Sequence, residues 1–475
     1  MSATFLKITK SILHIPPAFV LLLYCSCNEE TLPLFETSAE PRVHVQDVQS
    51  NQNNVLSAVV QISATNATDV RIEVTGDANY IQHTPFTQVS GRSVSLAILG
   101  LEQNTTYTCR VLALSENRGE GESARFVIAT DGLPTNIPRR SVVTNNSATD
   151  GYVLLVGPSA DASGRHYAYI VDSDGRVVWY RAFSSSMLDF QKQPDGSYTA
   201  FSSLDTTGGR FFQMDNLGNV LREYRALGAP ETGGHELRLR DDGYCLFGVE
   251  YRIMDLSAIG GLPDAEVRGL TVEYHRRNGT SLIWNTFDHF SVSDALPDIP
   301  ITGPNVNPWH GNAIEVDSDG HLLVSFRGLG EITKINSATG EIIWRMGGRN
   351  NQFTFVNDPL NGFSHQHGIR RLPNGNVILF DNGNLHSPPA SRAVEYRLDE
   401  QSKIAQLVWE YRPNPPILSP FLGFAQRLAN GHTLVCFGRA QRIIEVDGNG
   451  TVVWELRIDE PGIYAYRAIR ISSLY

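Results

Sequence analysis

TGEIIW, Thr339 to Trp344, is a polar turn followed by two β-branched residues and a tryptophan. It does not occur alone. DGRVVW ends at Trp179, NGTSLIW at Trp284 and GNGTVVW at Trp454; IAQLVW ends at Trp409 after a poorer turn. LGNVLREY fits the gap after Trp179, with Arg222 where tryptophan would stand. That makes six units, spaced by about 43 to 65 residues, a period typical of propellers and other repeat architectures. Five of the six units also carry an earlier turn, at Gly196, Gly243, Gly320, Gly375 and Gly431. Four short strands per unit, alternating with period two between such turns, describe one blade.

The fold expected from this pattern is all-β: a six-bladed β-propeller over residues 132–475. Its ends should close on each other. YAYRAIRISSLY at the C-terminus reads as a first strand with no turn after it, and DGYVLLVG as a second strand without a first. Joined, they complete one blade and leave no open sheet edge. Residues 41–131 read as a separate β-sandwich. LEQNTTYTCRVLALSENRGEGESARFVIAT resembles the end of a fibronectin type III-like domain, with Tyr107 placed to bond the preceding loop. DGLPTNIPRR reads as the linker between the two.

The N-terminus reads as an export signal. Lys7 and Lys10 precede an apolar run too short to span a membrane, which ends LLLYCSCNEE. Residues 1–27 are expected to be a lipoprotein signal up to an acceptor at Cys27, which follows the small Ser26; Tyr24 makes Cys25 the poorer acceptor. Residues 28–40 form an acidic, Thr/Ser/Pro-containing tether. The mature protein is thus expected to be exported, periplasmic or at the cell surface, and held to the membrane only by lipid. Cys109, Cys245 and Cys436 are then left, odd in number and far apart, which implies buried thiols rather than a disulfide framework. The formal charge of -11 argues against a nucleic-acid partner, though not against a small anion in a locally positive pocket. The sequence leaves the oligomeric state open and is compatible with a homodimer.

The earlier turn glycine serves as a ruler. Six residues before it stand Phe190, Leu237, Ile314, Ile369 and Ala425, all apolar. Eight before it stand Leu188, His235, Asn312, His367 and Gly423; ten before it, Ser186, Gly233, His310, His365 and Phe421. Even spacings share a strand face. The first strand of each blade lines the channel, so the histidines of three consecutive blades should converge on one mouth. A lone channel histidine is usually structural; four imidazoles and an amide in matching slots favour a functional cluster. Arg327 in LLVSFRGLG ends a strand beside it, and Arg392 in ASRAVEY is a weaker candidate, as is His365.

Imidazoles, an amide and a guanidinium without clustered carboxylates or a thiol suit group transfer from an anionic ester. One histidine can be the nucleophile. Arg, His and Asn can stabilise charge on the transferred group's oxygens. Another histidine can exchange a proton with the leaving and entering hydroxyls. A metal fits less well, because only His365 and His367 have a tight spacing; no cofactor is expected.

GGHEL, NPWHGNAIEV followed by LLVSFR, QHGIRRLPNGNVILFDNG with SRAVEY, and FAQRLANGHTLV together resemble the bacterial arylsulfate sulfotransferases that use no adenylyl sulfate donor. These pieces cover most of Gly233 to Val435. The resemblance implies ping-pong sulfuryl transfer from an aryl sulfate to a phenolic acceptor. It implies that His367 is transiently sulfated, that Arg327 holds the sulfuryl oxygens, and that His310, Asn312 and His235 belong to the active site. His310 is the residue expected to move the proton, with His235 able to share that role. The competing reading is a non-catalytic, quinoprotein-like propeller acting as a binding or scaffold lipoprotein, which would have no need of matched histidines in three blades.

Overall fold

The computed structural model describes residues 40–475, apart from 78–79, 118, 158–163 and 204–207. The expected lipidation site, Cys27, lies outside the described residues, as do the signal and nearly all of the tether.

Residues from Arg42 to Ala129 form a two-layer sandwich. One sheet holds Arg42–Ser50, Ala58–Thr65 and Ser93–Ile98 in that order; the other runs Ile81–His83, Asp69–Thr75, Thr106–Leu114 and Glu120–Glu122. Strict alternation builds its core. Tyr107, Cys109, Val111 and Ala113 point inward from one strand and meet Val60, Ile62, Val70 and Ile72. The Tyr107 hydroxyl accepts from the Glu102 N–H at 2.7 Å, the bond its position in the sequence suggests.

From Arg140 onward the chain is a six-bladed β-propeller. Blade 2 begins with Met187–Lys192, blade 3 with Glu231–Arg240, blade 4 with Gly311–Val316, blade 5 with His367–Arg371 and blade 6 with Phe424–Arg427. In each, the next three strands follow outward in sequence order. Blade 1 takes its inner strand, Arg467–Ile471, from the C-terminus, and that strand pairs antiparallel with Tyr152–Val156. The expected closure is therefore what joins the ring. A second latch was not legible in the sequence: Arg140–Asn145, which starts on the last residue of the expected linker, pairs with Val452–Ile458 and adds a fifth strand to blade 6.

The tryptophans explain the repeat. The five that mark the repeat each sit on the fourth strand of a blade, where the ring is large enough to reach the next blade. The Trp179 indole N–H donates to the Asn216 carbonyl in blade 2 at 2.8 Å. Trp344 donates to Glu400 in blade 5 at 2.9 Å, and Trp454 to the Ser173 carbonyl in blade 1 at 2.7 Å. In these three seams the indole packs between blades and satisfies its one donor; at Trp284 the ring packs against Phe326 of blade 4, but its N–H finds no partner among the described residues. At the blade 2 position Arg222 is exposed and lies 4.9 Å over the Tyr224 ring instead.

Candidate active site at the propeller mouth

Inner strands of blades 2 to 5 all lose regular pairing near their first residues. The breaks fall between Leu188 and Gln191, Gly233 and Leu237, Gly311 and Ala313, and His367 and Arg370. These irregularities re-aim side chains into the mouth. His310 and His365 lie just before their strands in the left-handed region, at φ 42° and 57°. The even-spacing rule therefore does not extend to them, and their surroundings differ although they share a place in the repeat.

The structure brings His235, His310, Asn312, His367 and Arg327 together. The His235 and His310 rings meet edge to face, 4.9 Å between centroids. Arg327 opens a short 3₁₀ turn after Leu322–Phe326, and its backbone N–H donates to the His310 carbonyl at 2.9 Å. Its guanidinium donates to the Pro420 carbonyl at 3.2 Å through Nη2, while the buried Nε finds no partner among the described residues. Asn312 is fully buried and donates through Nδ2 to the Gln366 carbonyl at 2.7 Å, tying blade 4 to the residue before His367.

His367 is 3% exposed. Its Nδ1 lies 2.7 Å from Asn382 Oδ1 and 3.1 Å from the His365 carbonyl. Its Nε2 has no hydrogen-bond partner among the described residues. Burial, then the Arg327 charge, push its pKa well below the usual imidazole value. Burial and the neighbouring His235 and Arg327 do the same to His310. His235 falls to about 3 through burial and the charge of Arg268. The site at rest is thus a set of neutral imidazoles beside guanidinium charge that the exposed Asp298 only partly offsets, which suits an incoming anion.

His365 turns aside. Its Nε2 lies 3.1 Å from Asp298, and burial followed by Arg327 lowers it to about 4. Arg392 does not reach the site. It is fully buried and its donors are all engaged: Nε to Asp381 at 2.9 Å, Nη1 to Asp358 and Glu410 at 3.0 and 2.8 Å, Nη2 to Asp358 and the Gly362 carbonyl at 3.0 and 2.7 Å. The expectation that Arg392 binds substrate is corrected: three carboxylates occupy it. Its role is support, since Asp381 also accepts from the Ser364 N–H at 3.0 Å and so fixes the turn leading to His365.

Four residues of the site were not read from the sequence. Gln366, between the two histidines, donates to Ser325 Oγ and the Glu331 carbonyl, both at 3.0 Å, and fastens blade 5 to blade 4. Asn382 contacts His367 as above. Arg268 stands on the third strand of blade 3, which would not ordinarily line a channel. Gly243–Met254 and Ala265–Arg276 are each 12 residues long, however, and carry it past the start of the inner strand. Its Nε is also buried and unpartnered among the described residues. Tyr466 comes from the closing segment; its hydroxyl donates to the His235 carbonyl at 2.7 Å and to the Asn312 carbonyl at 3.4 Å.

Beneath the histidines the axis is crossed by charge. Arg467 pairs with Asp189 and, at 2.8 Å, with Glu236; Arg370 reaches Glu236 at 2.9 Å. Burial opposes the Glu236 carboxylate, but Arg370 and Arg467 outweigh it and hold its pKa at about 2. Arg467 also donates to the Asn312 carbonyl at 2.9 Å, so the closing strand helps support the site. No group of His, Cys, Asp and Glu among the described residues could hold a metal.

Residues 139–460 match the family described as Arylsulfotransferase (ASST). The chain belongs to that family, and the match supports arylsulfotransferase activity on small-molecule donors and acceptors. A comparison with curated proteins gives no match. Among solved structures, a protein of unknown function from Bacteroides caccae is similar at TM-score 0.41 and 14% identity, covering 68% of this chain and 100% of that one. A catalytically inactive virginiamycin B lyase from Staphylococcus aureus with quinupristin gives 0.35 and 12%, covering 68% and 90%. A protein of unknown function from Bacteroides thetaiotaomicron gives 0.31 and 13%, covering 87% and 98%. Similarities this low carry no argument, and the fold rests on the strand pairings themselves.

Proposed function

We propose that the protein transfers a sulfuryl group from an aryl sulfate to a phenol by a ping-pong mechanism, through a sulfated His367. The observation that carries this reading is the pairing of a neutral imidazole, its Nε2 free, with the incompletely bonded guanidinium of Arg327. An aryl sulfate would place its sulfuryl oxygens against Arg327, with Arg268 adding positive potential. The His367 nitrogen attacks sulfur, the S–O bond to the aryl oxygen breaks, and the phenolate leaves. The phenolate needs no proton to leave; His310, neutral at rest and with His235 against it, would take a proton from the acceptor phenol and pass it to solvent. The acceptor oxygen then attacks sulfur, the S–N bond breaks, and its electron pair returns to His367. Such a site would act mainly by positioning and by fixed charge.

The test is incubation with an aryl sulfate whose phenol is coloured. Colour release should accelerate with an acceptor phenol, and donor alone should leave an acid-labile, base-stable mass gain on the peptide containing His367. Wild-type turnover in His367→Ala would overturn the assignment.

Export and anchoring through Cys27 belong to the same reading and rest on the N-terminal sequence. The strand order of the sandwich and the Tyr107 bond support a fibronectin type III-like assignment for that domain.

A further inference from the structure

An imidazole has two nitrogens, and only the one without a proton can attack. Which of the two is bare is fixed by what surrounds the other. Both polar neighbours of His367 Nδ1 are acceptors. One is the His365 carbonyl, at 3.1 Å, which can be nothing else. The other is an oxygen of Asn382 at 2.7 Å. An amide can be turned over, so its orientation needs an independent argument. Here the far side supplies it: Asn382 Nδ2 lies 2.6 Å from the Ser419 carbonyl and 2.9 Å from the Leu422 carbonyl. Turning the amide would set its oxygen against two carbonyls and its NH₂ against Nδ1. Asn382 is itself fully buried, so no water compensates.

We infer that Asn382 is a positioning residue that holds His367 in the Nδ1–H tautomer, making Nε2 the nitrogen that is sulfated. The inference rests on His367 being the nucleophile. It adds a reason for an amide at this place. A neutral acceptor holds the Nδ1 proton without adding the negative charge that would raise the basicity of the ring. Nε2 therefore stays unprotonated over a wide pH range. When Nε2 bonds to sulfur, the ring keeps its Nδ1 proton and becomes cationic. When the acceptor oxygen attacks, the S–N bond breaks and a neutral imidazole departs, a better leaving group than the imidazolate that loss of the Nδ1 proton would require. The Pro-rich segment RPNPPILSPFLG, which leads into blade 6, supplies the two carbonyls and so sets the tautomer of a histidine in blade 5.

The experiment reads the tautomer directly. Protein labelled with ¹⁵N-histidine, with the His367 signals assigned by their loss in His367→Gln, should show protonated Nδ1 and bare Nε2 at pH 7. An Nε2–H tautomer in the wild-type protein overturns the inference without any change at Asn382. Asn382→Leu keeps roughly the size and removes the acceptor. It should mix the tautomers and lower kcat by about 10²- to 10⁴-fold, the upper end being the cost of a wrongly set imidazole in a serine protease triad, with KM for the donor little changed. Unchanged kcat in Asn382→Leu, with His367→Ala inactive, refutes the role of Asn382 alone. Full turnover in both variants refutes the nucleophile as well.

Discussion

Arg327 and Arg392 are both delivered by apolar strands of adjacent blades, yet replacing them should have opposite signatures. In Arg392→Met the guanidinium that engages Asp381, Asp358 and Glu410 disappears. Asp358 and Asp381 are fully shielded from solvent. Removing one partner of a buried ion pair costs about 3–5 kcal/mol, because it leaves an uncompensated buried charge. Asp358 retains the Tyr396 hydroxyl and Asp381 retains His386 at 2.7 Å, which argues for the lower end of that range. In Arg327→Met a half-buried cation with one side-chain hydrogen bond disappears, and its acceptor, the Pro420 carbonyl, keeps the Asn384 amide at 3.2 Å. Stability should then change by no more than about 1 kcal/mol. Turnover should fall by about 10²- to 10³-fold, the usual cost of one lost oxyanion donor. Denaturant unfolding of both variants, with coloured-phenol release measured well below the unfolding transition, checks the pair. If Arg327→Met destabilises as much as Arg392→Met, or if Arg392→Met stays fully stable and loses turnover, the separation of roles is wrong.

Acid should weaken the fold before it abolishes the charge network. The unfolded chain binds protons on its histidines near pH 6.5, whereas folded His365 and His235 resist until about 4 and 3. The unfolded state therefore holds more protons in that window, and stability is lost as pH falls from about 6.5 toward 4; a Tm unchanged between pH 7.5 and 5 would contradict this. Deleting Arg467–Tyr475 should abolish the folded species on size exclusion, since blade 1 loses its inner strand and Asp189 loses its cation. Cys27→Ser should abolish labelling by a radioactive fatty acid in cells, and persistent label would point to Cys25.

Much of this architecture was legible because strands advertise themselves by local period. Turn glycine, two β-formers and tryptophan recur, and the tryptophan recurs for a reason visible in the seams between blades. The orphan strands at the two ends predicted their own pairing. His235, Asn312 and His367 could be aligned by counting back from a turn. Counting failed where the backbone stops being a strand, at the positive φ of His310 and His365. The sequence ranked Arg327 above Arg392, but it could not show that Arg392 is wholly engaged. The three carboxylates around Arg392 stand 34, 11 and 18 residues away along the chain and meet it only through folding. Asn382, Gln366 and Arg268 were missed for the same reason, since what each does depends on a neighbouring strand, loop or blade.

The net charge of -11 and an anion-seeking mouth are compatible because most nearby acidic groups are already paired. Glu236 and Asp189 are bound by Arg467 and Arg370 below the histidines. Asp358 and Asp381 are bound by Arg392 on the far side of the His365 turn. Among the described residues, the carboxylate that offsets the Arg327 charge is Asp298, which is 41% exposed and also reaches His365. Distant surface acids are screened within about 10 Å at ordinary salt, while the guanidiniums of Arg268 and Arg327 act over the histidine rings at short range in a poorly solvated site. The sign of the potential at the mouth is therefore set by which carboxylates the fold has paired, and that potential adds to burial, the larger cause, in keeping the imidazoles neutral. A site that needs its nucleophile unprotonated and its substrate anionic is served on both counts by the same guanidiniums, with burial the larger cause of the first.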